Sequence, residues 1–258
     1  MIIDVNAYIG HWPFRKIEYD TAEKLLSLMD NKGIDIACVS NLNSIFCRDV
    51  MEGNIELIKQ IKTHTDRFIP FGIINPAYPG WKKDFLDCAE ILGTKCIELY
   101  PCYHMYKLSD PNAVELLNMA ADRKIPVHLP CAIENIRQRH WLDVKTDLTK
   151  EELKEAAELC PKTDFIITNG PSSDIAAYLK SSTDKREGKV YYDFSRLGIL
   201  NFGPDSFIEK VGINRVVFGM VMPLQYIETQ FVKIYLSKLE SNETDKILNE
   251  NMKELLNI

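Results

Sequence analysis

No stretch of this 258-residue sequence approaches the ~20 consecutive apolar residues of a membrane-crossing helix. No basic cluster interleaves with aromatics, and the formal net charge is -6, so neither nucleic acid nor an anionic membrane is an expected partner. No charged segment precedes the first apolar residues, which enter a strand pattern at residue 2, so no secretory signal is expected. The seven cysteines contain no Cys-x-x-Cys pair. Their odd number fits reduced thiols in a cytoplasm better than a disulfide framework or a zinc knuckle. Gly-x-Gly-x-x-Gly is absent too, which counts against an open doubly wound dinucleotide-binding sheet. With no low-complexity linker and no short repeat, residues 1–258 read as a single domain.

What is present is a repeated strand–helix alternation. Met1-Ile2-Ile3 and Val5 are apolar and partly β-branched, as in an inner barrel strand, and Asp4, Asn6 and Tyr8 place polar side chains on one face at period two. Further strands are expected at Asp35–Ser40, Arg67–Asn75, Lys95–Tyr100, Ile125–Leu129, Asp164–Thr168, Lys189–Phe194 and Asn214–Gly219. Helices fall between them. Capping boxes at Asp20–Glu23 and Thr149–Glu152 open two, and helices are also expected over 171–179 and 203–211. Eight alternations in about 250 residues predict an α/β fold, a (β/α)8 TIM-type barrel with a C-terminal helical extension. In such a barrel the site lies at the C-terminal ends of the strands, and that rule selects the polar residues that matter.

Several motifs resemble those of the amidohydrolase-related proteins, metal-dependent hydrolases and decarboxylases on a TIM barrel. The family's first strand reads Asp-x-His-x-His; here Asn6 and Tyr8 stand at the two His positions. Its fifth-strand His matches His128 in Pro-Val-His-Leu-Pro. Its sixth-strand His matches Asn169 in Thr168-Asn169-Gly170, and its eighth-strand Asp matches Val221 in Phe218-Gly219-Met220-Val221-Met222-Pro223. The tail from Ile247 to Leu255, with Glu250-Asn251, resembles the family's closing helix. The resemblance implies the barrel, a hydrolase or lyase activity and a small-molecule ligand. Of its five metal positions only His128 is retained, and a catalytic metal needs about three protein ligands. The expectation is therefore a chain with no metal cofactor. A divalent metal such as zinc at a rebuilt site of His11, His104, His128 and His140 is the alternative, although no pair has His-x-His or His-x3-His spacing.

His128 is the first catalytic candidate, as general acid/base or oxyanion ligand; it would equally serve as a hydrogen-bonded barrel-lining residue. Asp193, at the end of the seventh strand, is the second. Arg196 and Arg15 could grip a carboxylate bidentately, or either could form a structural ion pair with Asp193. Glu98 and Tyr100 share a face, and with Tyr103, His104 and Tyr106 they suggest either aromatic walls around a ligand or a rigid loop packed over the barrel. Asn6, Tyr8, His11 and Asn169 complete the expected ligand-binding set, and Cys102 beside His104 is a remoter nucleophile. The leading function is a hydrolase or lyase on a small carboxylated or aromatic molecule. The alternatives are a non-catalytic binding or sensor barrel and a scaffold subunit. A homo-oligomer is an expected state.

Overall fold

The computed structural model describes residues 1–143, 145–170, 186–198 and 204–258. The helix expected over 171–179 lies outside them, as does residue 203. Seven parallel strands stand in chain order: β1 (Ile3–Ile9), β2 (Ile36–Asn41), β3 (Phe68–Ile73), β4 (Cys96–Glu98), β5 (Val127–Pro130), β6 (Phe165–Thr168) and β7 (Val190–Tyr192). Parallel neighbours need crossovers, and helices Ala22–Lys32, Val50–Ile61, Pro111–Asp122 and Lys150–Leu159 supply four of them. The Thr149–Glu152 capping box forms with both its bonds. The first box does not: Thr21 is the N-cap, and Asp20 instead accepts from Lys24 Nζ at 2.7 Å. No described helix is long and apolar enough to cross a membrane.

The strands read as near-continuous apolar runs because they are buried on both sides. Ile3 and Val5 pack with Cys38, Phe71, Cys96 and Tyr191 in one apolar layer, and Met252, Leu255 and Leu256 of the terminal helix Asn251–Leu256 join the same layer. The side chains of Asn249 and Asn251 tie that tail to the chain, donating to the carbonyls of Met1 and Val216.

Two expectations about the strands are corrected. The pairing of β1 with β2 shifts register between Asp4 and Ala7, a bulge, so Asp4, Asn6 and Tyr8 do not alternate as one row. The eighth strand is not regular either. Residues 213–215 form a 3-10 turn, and the segment after it makes single bridges, Tyr192 to Val216 and Ala7 to Met222. It still lies between β7 and β1: Val217 N–H donates to Tyr192 O, Val5 N–H to Phe218 O and Tyr8 N–H to Met222 O. Two features interrupt a ladder here. The Asp4 carboxylate takes the Met220 N–H at 2.8 Å, and Val221 sits at φ 60°, which a β-branched residue rarely adopts.

Gly219 packs against the residue that follows β7: a Cβ there would lie 2.5 Å from Asp193 Oδ2. Gly219→Ala is expected to destabilise the fold by about 1–3 kcal/mol through overpacking. Gly198→Ala, which meets no atom of the described residues within 4 Å, should stay within about 0.5 kcal/mol. Urea unfolding of the two variants checks this, and equal effects would contradict the close approach.

Candidate functional site

β4 and β5 are in register at Glu98 and His128, so two long polar side chains arise side by side at the strand exits. Tyr100 donates its hydroxyl to Glu98 Oε1 at 2.5 Å, and His128 Nδ1 lies 3.4 Å from the same oxygen. His128 Nε2 lies 2.7 Å from Thr168 Oγ1 at the end of β6, and Phe71 meets the ring edge-on. The bulge in β1 brings Tyr8 to this group, and burial, then the Glu98 charge, holds the Tyr8 and Tyr100 hydroxyls firmly protonated. Tyr8, Glu98, Tyr100 and His128 are each 2% exposed or less. The structure thus brings together four of the expected residues from three strands in one buried polar cluster.

Asn169 forms the second group. Its amide donates to Ala132 O at 2.8 Å, and its Oδ1 accepts from Asn6 Nδ2 at 2.8 Å and from Ser195 Oγ at 3.2 Å. Its own N–H donates to Asp193 Oδ1 at 3.1 Å. Asp193 is fully buried, and that burial pushes its carboxyl up to about 6. Asp4, which sequence reasoning treated only as part of a polar row, is buried likewise and is pushed up to about 7.

Arg196 follows on the β7 exit. Its Nη2 donates to Ile133 O at 2.9 Å, while Nε and Nη1 are buried with no hydrogen-bond partner among the described residues. It lines an open groove of about 900 Å³ that Arg15, Asn135, Gln138, Ser195 and Lys233 also border. The expected ion pairs of Asp193 with Arg196 or Arg15 are not among the close contacts of the described residues. Arg15 pairs instead with Glu134 at 2.5 Å and donates to Leu224 O, so its guanidinium is largely occupied.

The remaining candidates lie apart. His11 is exposed and its N–H is bonded to Asn43. His104 Nε2 lies 3.1 Å from Ile45 O, its ring stacks on Tyr106, and burial lowers its pKa to about 4, so it is a neutral packing residue. His140 stacks between Phe14 and Trp141. The four histidines considered for a rebuilt zinc site therefore do not converge, and among the described residues no three His, Cys, Asp or Glu side chains are grouped to hold a metal ion. Cys102 and Cys131 are both raised in pKa by burial, the opposite of an activated thiol.

Sequence reasoning missed Thr168, Ser195, Gln230 and Lys233. The last two lie on helix Glu228–Leu236, where Gln230 and Lys233 are buried while Val232, Tyr235 and Leu236 are exposed. No local pattern in the sequence marks that inversion.

Asp193 makes stability pH-dependent with a definite sign. Its carboxyl titrates at about 6 when folded against an ordinary 3.8, so its contribution is fully present below about 3.8 and is lost as pH rises through about 6. Relative to Asp193→Asn, the wild type should lose about 3 kcal/mol between pH 3.5 and 7 by urea unfolding. A constant difference across that range would contradict the buried, proton-holding carboxyl.

No family model and no curated protein matches the sequence. Solved structures do match it over its full length. A candidate amidohydrolase of Staphylococcus aureus superposes with TM-score 0.74 at 18% identity, over 100% of this chain and 99% of that one. A dihydroxybenzoic acid decarboxylase of Polaromonas, with bound manganese and 2-nitroresorcinol, gives 0.72 at 14%, over 99% and 96%. The 5-carboxyvanillate decarboxylase of Novosphingobium aromaticivorans, complexed with manganese and a nitrobenzoic acid, gives 0.75 at 14%, over 100% and 96%. The manganese in the last two overturns the expectation of a chain with no metal cofactor, which rested on the replaced ligand positions alone. The side chains at those positions, Asn6, Tyr8, Asn169 and Val221, nevertheless do not fit a site held by His and carboxylate donors, and Asn6 and Asn169 are bonded to each other. The resemblance of this chain to the amidohydrolase-related TIM barrels thus holds at the level of the fold.

Proposed function

We propose that the chain is a closed (β/α)8 barrel, with an irregular eighth strand, that takes a small carboxylated aromatic molecule at its strand exits as a lyase or hydrolase. The observation that carries this reading is Arg196, which lines an open groove and keeps two buried guanidinium nitrogens, Nε and Nη1, without acceptors among the described residues. A buried unpaired donor costs about 1–3 kcal/mol, more when charged, and a carboxylate is the group that matches a guanidinium edge. The similar decarboxylases act on aromatic acids, which supports the same ligand class.

Hydrogen bonds run inward from Ser195 at the groove through Asn169 to Asn6. A ligand carboxylate on Arg196 would place the rest of the molecule toward this chain of amides. Asp193 Oδ2 and Asn6 Oδ1, buried acceptors without partners among the described residues, favour hydroxyl groups on it. His128, with Glu98 at Nδ1 and Thr168 at Nε2, is the group arranged to hold or move a proton. In a decarboxylation the bond to the carboxyl carbon breaks, carbon dioxide leaves and the electron pair left on the ring takes a proton. A non-catalytic binding barrel is the second reading, favoured by the burial of Tyr8, Glu98, Tyr100 and His128.

The test is calorimetric binding of 2,6-dihydroxybenzoate and 5-carboxyvanillate, each with and without manganese, followed by chromatography of the mixture. Binding by wild type is expected, with at least about a tenfold loss in Arg196→Met, equivalent to about 1.4 kcal/mol. Turnover lost in His128→Ala with binding retained supports the enzyme; ligand recovered unchanged supports the binding barrel. Binding in Arg196→Met equal to wild type would overturn the site.

A further inference from the structure

Lysine is almost never fully buried unless its charge is matched. Lys233 is 3% exposed, on a helix that leaves Tyr235 and Leu236 in solvent. Its three ammonium donors reach three acceptors: Phe194 O at 2.9 Å, Ser195 O at 2.8 Å and Gln230 Oε1 at 3.0 Å. Gln230 is fully buried and also donates to Ser195 O at 3.2 Å. The two carbonyls so held immediately precede Arg196, and Asp193 immediately precedes them.

We propose that Lys233, supported by Gln230, is a positioning residue for the anion site. Its ammonium fixes the 194 and 195 carbonyls so that Arg196 faces the groove, and loss of its proton loosens this exit and weakens carboxylate binding. The inference rests on the Arg196 site of the proposed function and adds its regulation. An ammonium carries three N–H donors and a neutral amine two, so deprotonation leaves one of the three acceptors unbonded. Burial lowers the Lys233 pKa to about 8, within reach of ordinary solution conditions. The charged groups acting on it are Asp193, which favours its proton, and Arg196, which opposes it, both from the β7 exit. Glu228, on the same helix, is paired with Lys32 at 2.6 Å. Asp193, at about 6, is already ionised before Lys233 titrates, and a guanidinium keeps its charge throughout.

The experiment measures affinity for 2,6-dihydroxybenzoate at pH 7 and pH 9 in wild type, Lys233→Arg and Lys233→Met. Amide exchange of residues 195–198 is followed in the same samples without ligand, corrected for intrinsic rate. Wild-type affinity is expected to fall roughly tenfold from pH 7 to 9. Lys233→Arg should show no such fall, and Lys233→Met should bind weakly at both pH values. Exchange at 195–198 should be faster in Lys233→Met than in wild type, and faster in wild type at pH 9 than at pH 7. An equal pH dependence in all three proteins, or unchanged exchange in Lys233→Met with the fold intact by circular dichroism, would overturn the proposal. If wild type binds no carboxylate at pH 7, the proposed function fails, and the exchange measurement alone then decides the role of Lys233.

Discussion

Asn169 sits at φ 59° at the end of β6, a left-handed conformation that Asn tolerates better than most residues, and its polar atoms reach three other strand exits. Its amide spans to Ala132 beyond β5 and to Asn6 on β1, while its N–H and Oδ1 engage Asp193 and Ser195 beyond β7. A buried polar group without a partner costs free energy, so these bonds constrain one another: moving any one exit leaves a buried donor unpaired. The positions of Asp193 and Arg196 follow from this junction on one side and from the Lys233 ammonium on the other.

The mouth of the barrel therefore has two electrostatic regions. Inside, Glu98 is shielded by the Tyr100 hydroxyl and the edge of His128, and burial keeps both tyrosines protonated. Outside, Arg196 offers charge at the groove wall, with Nε and Nη1 unpaired among the described residues. Asp193 lies between them, with a carboxyl that changes charge at about 6. A ligand with an anionic end and hydroxyl donors would complement both regions.

The strand–helix alternation was legible in the sequence because each buried parallel strand is an apolar run bounded by caps and turns. Strands β2 to β7 fall inside or within a residue of their expected spans. Glu98 and His128 were legible because register and period place them. What was not legible depends on the third dimension. The bulge in β1 that separates Asp4 from Tyr8, and the Asp4 carboxylate that takes the Met220 N–H in place of a strand partner, leave no mark in local pattern. Arg15 borders the same groove as Arg196, as expected, but Glu134, 119 residues away, takes its Nε–H. Lys233 reads as an ordinary surface residue until the carbonyls of the β7 exit are seen to fill its three donors. The cofactor expectation failed for a different reason: it inferred the absence of a metal from individual positions, whereas barrels of the same fold carry manganese.

A crystal structure of the protein grown with 2,6-dihydroxybenzoate and manganese tests the account most directly. The account predicts a carboxylate oxygen within hydrogen-bond distance of Arg196 Nη1 or Nε, with a ring hydroxyl directed to Asp193 or Asn6. A carboxylate bound elsewhere, with Arg196 Nε and Nη1 still unpaired, would contradict it.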